Sequence, residues 1–303
     1  MVDESMLAAH PTKRWVHDRI VELLDSDTAA PAFSPVVTRL IRLMGDESVG
    51  LDDIANLVAL DPGLSARCLR SANCAANGQQ AIGSIAQALF LIGLREMRGI
   101  ALTVGVMDNF NHLRIPINWR KFWLHSVLVA RLTERIAGAF RDVTGLEYLA
   151  GLLHDIGKLV LEHFFPREFE SVVLRAMDRR CGHAAAEVDL LGFDHTNIGS
   201  ALCQRLNLHA HIVHAVRFHH QPLHPAHVDN PAGDGGFLSA CISVADYLAN
   251  LREINIGGQL ELASTLDELP EWKFLTDFFV CRGLDLDLDE EIDLAEKEIN
   301  SII

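Results

Sequence analysis

Basic side chains are scarce in this sequence. Its 303 residues include 26 lysines and arginines against 41 aspartates and glutamates, which gives a formal net charge of −15. Proteins that wrap nucleic acid or lie on anionic lipid need a basic surface. We therefore expect no nucleic-acid partner and no membrane partner. One small anionic ligand in a local basic or metal-lined pocket is still compatible with this charge.

Paired cysteines and long apolar runs are also lacking. None of the six cysteines forms a CxxC pair, which excludes a zinc ribbon and favours reduced thiols. The longest uncharged run, residues 71–94, holds five asparagines and glutamines and three glycines, so it is too polar to span a bilayer. The first residues contain no apolar stretch of signal-peptide length. Together these features lead us to expect a cytoplasmic protein.

Helix signals dominate the chain. Ser34 and Asp61 each stand directly before a proline, which places a capping side chain ahead of a first-turn proline. Ser84 is predicted to open a further helix that ends near Gly93. Helical periodicity describes four later segments better than strand alternation does: 119–140, 144–163, 196–206 and 237–251. The predicted fold class is all-α.

The segment Leu-Leu-His-Asp-Ile-Gly-Lys-Leu-Val-Leu at 152–161 sets His154, Asp155 and Lys158 among aliphatic side chains. Buried polar groups cost on the order of several kcal/mol unless they are paired or bind a metal. Adjacent residues on one helix diverge by about 100°, so His154 and Asp155 share a cavity only if the helix edge faces it. This segment alone leaves two interpretations open, a buried ion-paired helix and a metal site.

Further polar residues lie within or at the ends of apolar helices. Each of them, taken singly, is typical of a core polar group with a local hydrogen bond. One shared metal centre explains them together, because imidazole nitrogens and carboxylate oxygens are metal donors. These residues are His125, His195, His219, His220 and Asp246.

The order of these residues along the chain resembles the HD phosphohydrolase superfamily, and specifically its HDOD branch. The first half adds PVVTRLIRLM, LVALDPGLSARCLRSANCA and IAQALFLIGL, and the second adds FWLHS, LAGLLHDIGKLVL, LGFDHTNIG, and HH followed by VADYLA. The resemblance covers roughly residues 30–250. It implies a helical HDOD fold: an amino-terminal helical portion, 1–113, packed on an HD-type metal-site subdomain, 114–255, with acidic carboxy-terminal helices, 256–303.

The resemblance also implies roles for the site residues. In the one-metal arrangement four side chains hold the ion: His125, His154, Asp155 and Asp246. In the two-metal arrangement Asp155 bridges, and a second set serves the other ion: His195, His219 and His220. Asp155 and Lys158 are the implied catalytic residues, with Lys158 meeting a phosphate oxygen. The implied cofactor is one or two divalent ions; the donor set favours iron, with manganese and zinc as alternatives.

Three functions remain open from the sequence. The first is an HDOD-type signal-transduction or regulatory protein that keeps a complete metal site and binds a protein partner. The second is a metal-dependent phosphohydrolase acting on a nucleotide or phosphodiester, hence on a small phosphorylated ligand. The third is oxygen activation by two irons, as in some HD-superfamily oxygenases. Whether the chain is an enzyme is undecided, because ligands report metal binding and not turnover.

Two departures from related sequences bear on this choice. Related cyclic di-GMP hydrolases carry a GYP motif shortly after the HH pair, whereas this sequence continues HHQPLHPAHVDNP. Lys121 stands four residues before His125, where an acid would add a third ion. With no evident base-recognition or GYP segment, the sequence favours the regulatory function.

Overall fold

The computed structural model describes residues 34–43, 50–75, 82–110, 118–224, 234–255 and 265–302, together with 15, 16, 18–20 and 22. Within these residues the chain forms 14 α-helices and no strand, so the all-α prediction is confirmed. The helices are α1 Pro35–Arg42, α2 Leu51–Ala59, α3 Pro62–Ala75, α4 Ile85–Phe110, α5 Trp119–Gly138, α6 Leu146–Leu153, α7 Ile156–Phe164, α8 Pro166–Arg179, α9 His183–Leu191, α10 His195–Arg205, α11 Ala210–Phe218, α12 Asp234–Leu251, α13 Pro270–Phe278 and α14 Leu288–Ile302. None of these described helices is both long and apolar enough to cross a membrane.

The predicted helix caps form as the sequence indicates. Ser34 accepts a hydrogen bond from the backbone N–H of Val37 at 3.2 Å and starts α1. Asp61 accepts from the N–H groups of Gly63 and Leu64 at 2.9 and 3.0 Å and starts α3. Each cap satisfies donors that the first helical turn leaves unpaired. The predicted starts of α1 and α3 are therefore confirmed.

The prediction that a helix ends near Gly93 is wrong in one respect. Gly93 does leave the helical conformation, with φ 84° and ψ 165°. The chain then resumes the helix and continues to Phe110, because residues such as Met97 and Ile100 are buried against the preceding helices. Gly93 is thus a kink within α4.

The helix α5 forms the centre of the molecule. Its whole middle is buried, including Phe122 and Trp123, and it contacts α6, α12 and α14. The helix α11 packs against both α6 and α12, and α10 lies against α7 and α11. This arrangement brings the ends of α6, α10 and α11 towards the inner faces of α5 and α12. The predicted boundary at 113/114 and the start of the third part at 256 lie outside the described residues, so the three-part division stays a prediction.

The acidic carboxy-terminal helix α14 joins the early helices to the centre. It packs against both α3 and α5. Glu291 on α14 pairs with Arg131 at 2.8 Å and with Arg135 at 2.6 Å. Arg131 also pairs with Glu96 on α4 at 2.9 Å. Buried charges are tolerated where each one is paired and hydrogen-bonded, so this network fixes α14 and α4 on the same side of α5.

A pH prediction arises from Glu298 on α14. Burial raises the pKa of its carboxyl to about 7, against the opposing effect of Arg131. Between pH 4.5, the ordinary pKa of a glutamate, and pH about 7, the folded chain therefore holds this proton more tightly than the unfolded chain does. The resulting stabilisation is complete below pH 4.5 and is lost as the pH rises through 7. The amide of Glu298→Gln does not titrate. Its free energy of unfolding, relative to that of the unmodified chain, should therefore be higher at pH 8 than at pH 5 when both chains are unfolded with denaturant. An equal difference at both pH values would contradict this.

Candidate metal centre

The chain breaks its helix between His154 and Asp155. The prediction of one helix over 144–163 is wrong: α6 ends at Leu153, His154 is its C-cap, and α7 begins at Ile156. Asp155 adopts φ −99° and ψ 7°, outside the helical region. The expected divergence of about 100° along one helix therefore does not apply. Both side chains are buried, and His154 Nε2 lies 3.4 Å from Asp155 Oδ2.

One group of donors collects beside α5. The Nε2 atom of His125 lies 3.3 Å from His154 Nε2 and 3.3 Å from Asp246 Oδ1. One donor atom from each of these three residues lies within 4.8 Å of the others. They come from the middle of α5, the end of α6 and the middle of α12, so only the tertiary fold brings them together. We call this trio the α5 group.

A second group collects at the ends of α10 and α11. His195 Nε2 lies 3.1 Å from Asp155 Oδ1 and 3.1 Å from His220 Nε2. His219 Nε2 lies 3.8 Å from Asp155 Oδ1. One donor atom of each of these four residues lies within 4.8 Å of the others. We call this set the α10 group.

Asp155, itself a member of the α10 group, also faces the α5 group. Its Oδ2 is 3.4 Å from His154 Nε2 and 3.7 Å from His125 Nε2, while its Oδ1 faces the α10 group. Lys158 Nζ lies 2.6 Å from Oδ2 and steadies the carboxylate. A carboxylate with one oxygen towards each of two donor sets is placed to bridge two cations.

The ring orientations leave lone pairs facing inwards. The Nδ1 atoms of His125, His154 and His219 lie 2.8, 2.7 and 2.9 Å from backbone carbonyl oxygens. A carbonyl oxygen only accepts, so each Nδ1 carries the proton and donates it. In a neutral ring the opposite nitrogen, Nε2, is then the acceptor or metal donor. All three Nε2 atoms face other donors of the two groups.

The protonation states of these residues bear on metal binding. Burial lowers the pKa of His125 and lowers that of His219 far below its usual range, so both rings stay neutral. Burial opposes ionisation of Asp155, yet the Lys158 ammonium at 2.6 Å helps to hold its pKa well below the usual range. Burial also opposes a charged His195, but the Glu187 and Asp155 carboxylates raise its pKa to about 9. Neutral imidazoles and an ionised carboxylate are the forms that bind a cation, and His195 must release a proton to join them.

Two buried polar atoms that lack hydrogen-bond partners in the described part of the chain indicate that the donors fit a metal ion. Asp155 Oδ1 and His219 Nε2 form no hydrogen bond of good geometry with any described residue. Buried polar atoms without partners are rare and costly. Lone pairs within 3.1–3.8 Å of one another also repel unless a cation or a proton lies between them. The nitrogen and oxygen donors match those that bind divalent iron, manganese or zinc.

All seven predicted metal ligands thus lie in the two groups, and Lys158 lies beside them; whether they bind metal stays a prediction. The donor groups reach the protein surface at His220, which is exposed, and at Asp246, 15% of whose side chain is accessible to solvent. Sequence reasoning missed Glu187, whose carboxylate bonds to His195 at 2.7 Å. A buried acid in the apolar stretch AAAEVDLL was the available signal.

A family model and two solved structures each match more than half of this chain. Residues 30–222 match the family model of the HDOD domain. A crystal structure described as an HDOD domain protein with unknown function from Geobacter sulfurreducens aligns with a TM-score of 0.78 and 25% identity, over 96% of this chain and 98% of that one. A structure from Shewanella amazonensis SB2B, provisionally named a phosphohydrolase, aligns with a TM-score of 0.66 and 19% identity, over 94% and 98%.

One curated relative is longer than this chain. It is an uncharacterized protein of Treponema pallidum (strain Nichols), 24% identical over 200 residues. The match covers 64% of this chain but only 38% of that protein. The chain therefore spans well under half the length of this relative.

Proposed function

The chain belongs to the HDOD family, and from this premise we propose that it is a regulatory protein whose HD-type centre binds two divalent metal ions. The observation that carries the proposal is the position of Asp155, with one carboxylate oxygen towards each donor group. In this proposal the α5 group with Asp155 holds one ion, and the α10 group holds the other. Iron fits this imidazole-rich set best, with manganese and zinc as alternatives.

The regulatory role is supported by contacts of the helices that supply the α5 group. α5 carries His125, and α6 ends at His154. The same two helices hold the buried network towards the rest of the fold: Arg131 pairs with Glu96 and Glu291, and Tyr148 bonds to Thr103 at 2.8 Å. A change in the α5 group therefore has a packed route to α4 and α14, where a protein partner could sense it.

A second candidate function is hydrolysis of a nucleotide or phosphodiester. The exposure of His220 and of part of Asp246 favours it, because a phosphate group can reach the donor groups from outside. Bound ions would supply a nucleophilic hydroxide and neutralise phosphate charge. Of the chain's own groups, Lys158 orients the Asp155 carboxylate and adds positive charge beside it.

Hydrogen exchange and a turnover screen separate these functions. The full chain is stripped with chelator, and amide exchange is compared with and without Mn²⁺. The regulatory proposal predicts slower exchange in α4 and α14 as well as in the site helices, because the network at Arg131 couples them. It also predicts no turnover of phosphodiesters or nucleotides with iron, manganese or zinc restored. Turnover with exchange changes confined to the site helices would favour the hydrolase, and unchanged exchange everywhere would contradict both.

A further inference from the structure

Glu187 is a buried carboxylate on α9, a helix that supplies no donor to either metal group. Its side chain is fully buried. Its Oε2 accepts two hydrogen bonds from the same residue, the backbone N–H of His195 at 2.7 Å and His195 Nδ1–H at 2.7 Å. One oxygen thus fixes both the backbone and the ring of His195.

Only one carboxylate oxygen of Glu187 is hydrogen-bonded to described residues, and through it the side chain pairs with His195. Its other oxygen, Oε1, is buried and forms no hydrogen bond with any described residue. The nearby ammonium of Lys158 is already bound to Asp155 at 2.6 Å. A buried anion without full pairing is costly. A cation on the far side of the His195 ring would offset this cost through the ring.

His195 differs from the three rings whose Nδ1 donates to a backbone carbonyl. Its Nδ1 proton goes to an anion, which is a stronger acceptor. A carboxylate behind a ligating imidazole fixes the tautomer and makes the opposite nitrogen a better donor. That nitrogen, Nε2, faces Asp155 and His220 at 3.1 Å each.

From this geometry we infer that Glu187 is a positioning residue of the α10 group, which strengthens metal binding there through His195 without touching the metal. The inference rests on the proposed two-ion centre. It assigns Glu187 to one ion only, because its bonds reach His195 and no residue of the α5 group.

Glu187→Gln tests this with Mn²⁺ as the probe. Glutamine keeps the size of the side chain and an accepting oxygen, so it removes mainly the charge. Titration calorimetry on the His125→Ala chain isolates the ion of the α10 group. Adding Glu187→Gln to that chain should weaken this ion about 10- to 100-fold, as loss of an outer carboxylate typically does. In the His219→Ala chain, the same change should leave the remaining ion unaffected.

Stability measurements separate positioning from a merely structural role. Without metal, the Glu187→Gln chain should unfold at a lower temperature than the unmodified chain, because the buried pair between Glu187 and His195 is lost. Adding Mn²⁺ should raise the unfolding temperature of the Glu187→Gln chain less than it raises that of the unmodified chain. The matched control is Glu147→Gln, another buried acid, which accepts from the N–H groups of Thr144 and Gly145 at 3.0 and 3.1 Å. That change should destabilise the chain and leave Mn²⁺ affinity unchanged.

The outcomes distinguish this inference from the proposed function. If the unmodified chain binds no ion at the α10 group, the two-ion proposal itself fails. If it binds two ions and Glu187→Gln binds both equally tightly, only the role of Glu187 is overturned. A Glu187→Gln chain that is destabilised without metal, with unchanged metal affinity, would assign Glu187 a structural role instead.

Discussion

We expect Asp155→Ala to abolish binding of both proposed metal ions. Asp155 turns one oxygen towards each donor group, with Oδ2 3.4 Å from His154 Nε2 and Oδ1 3.1 Å from His195 Nε2. Loss of an outer-shell partner alone weakens metal binding 10- to 100-fold, so loss of a bridging ligand should weaken each ion by about 100-fold or more. Elemental analysis after dialysis against free Mn²⁺ measures the effect as ions per chain.

Substitutions that affect only one of the two donor groups are the matched controls for Asp155→Ala. Asp246→Ala should lose the ion of the α5 group and keep the other, whereas His219→Ala should do the reverse. His154→Ala should release the α5-group ion and loosen Asp155, which lies next to it in the chain. Unchanged metal content in both the His154→Ala and Asp155→Ala chains would show that the site is assigned to the wrong residues.

Gly157→Ala is expected to destabilise the fold and distort the α10 group. A Cβ at Gly157 would lie 2.0 Å from the backbone oxygen of His195 and 2.8 Å from the backbone nitrogen of Gly199. Both are backbone atoms, so α7 and α10 must move apart. Overpacking typically costs about 1–3 kcal/mol, and this backbone collision should reach the upper end or exceed it. The His195 shift should also weaken the α10-group ion.

Gly138→Ala is the control for this substitution. A Cβ there meets Val143 Cγ1 at 3.7 Å, an ordinary contact, at the last residue of α5. Alanine in a helix is favoured over glycine by roughly 0.5–1 kcal/mol, so this change should be neutral or slightly stabilising. Urea unfolding of both chains without metal gives the comparison. A similar free energy of unfolding for the two variants would show that the α7–α10 contact is not tight.

Local sequence signals predicted most helices and missed the break that matters for the site. Capping residues such as Ser34 and Asp61 satisfy their own helix starts, so they can be recognised without the fold. The run from Leu149 to Leu161 fits one helix, and no local residue marks an end inside it. The tertiary contact of Asp155 with His195 accompanies its non-helical backbone, and that contact is invisible in the sequence.

The site itself was predicted from resemblance and from polar residues in apolar helices. Spacing along the chain could not show that residues as distant as His125 and Asp246 approach to 3.3 Å. The same criterion applied to α9 would have found Glu187. His183 on the same helix is also buried, four residues before Glu187.

A crystal structure of the full chain grown with Mn²⁺, phased by the anomalous signal of the metal, tests the two-ion centre most directly. The account predicts two anomalous peaks per chain. One lies in contact with His125, His154 and Asp246, the other in contact with His195, His219 and His220, and Asp155 touches both. An anomalous map with no peak between these side chains would contradict the two-ion centre.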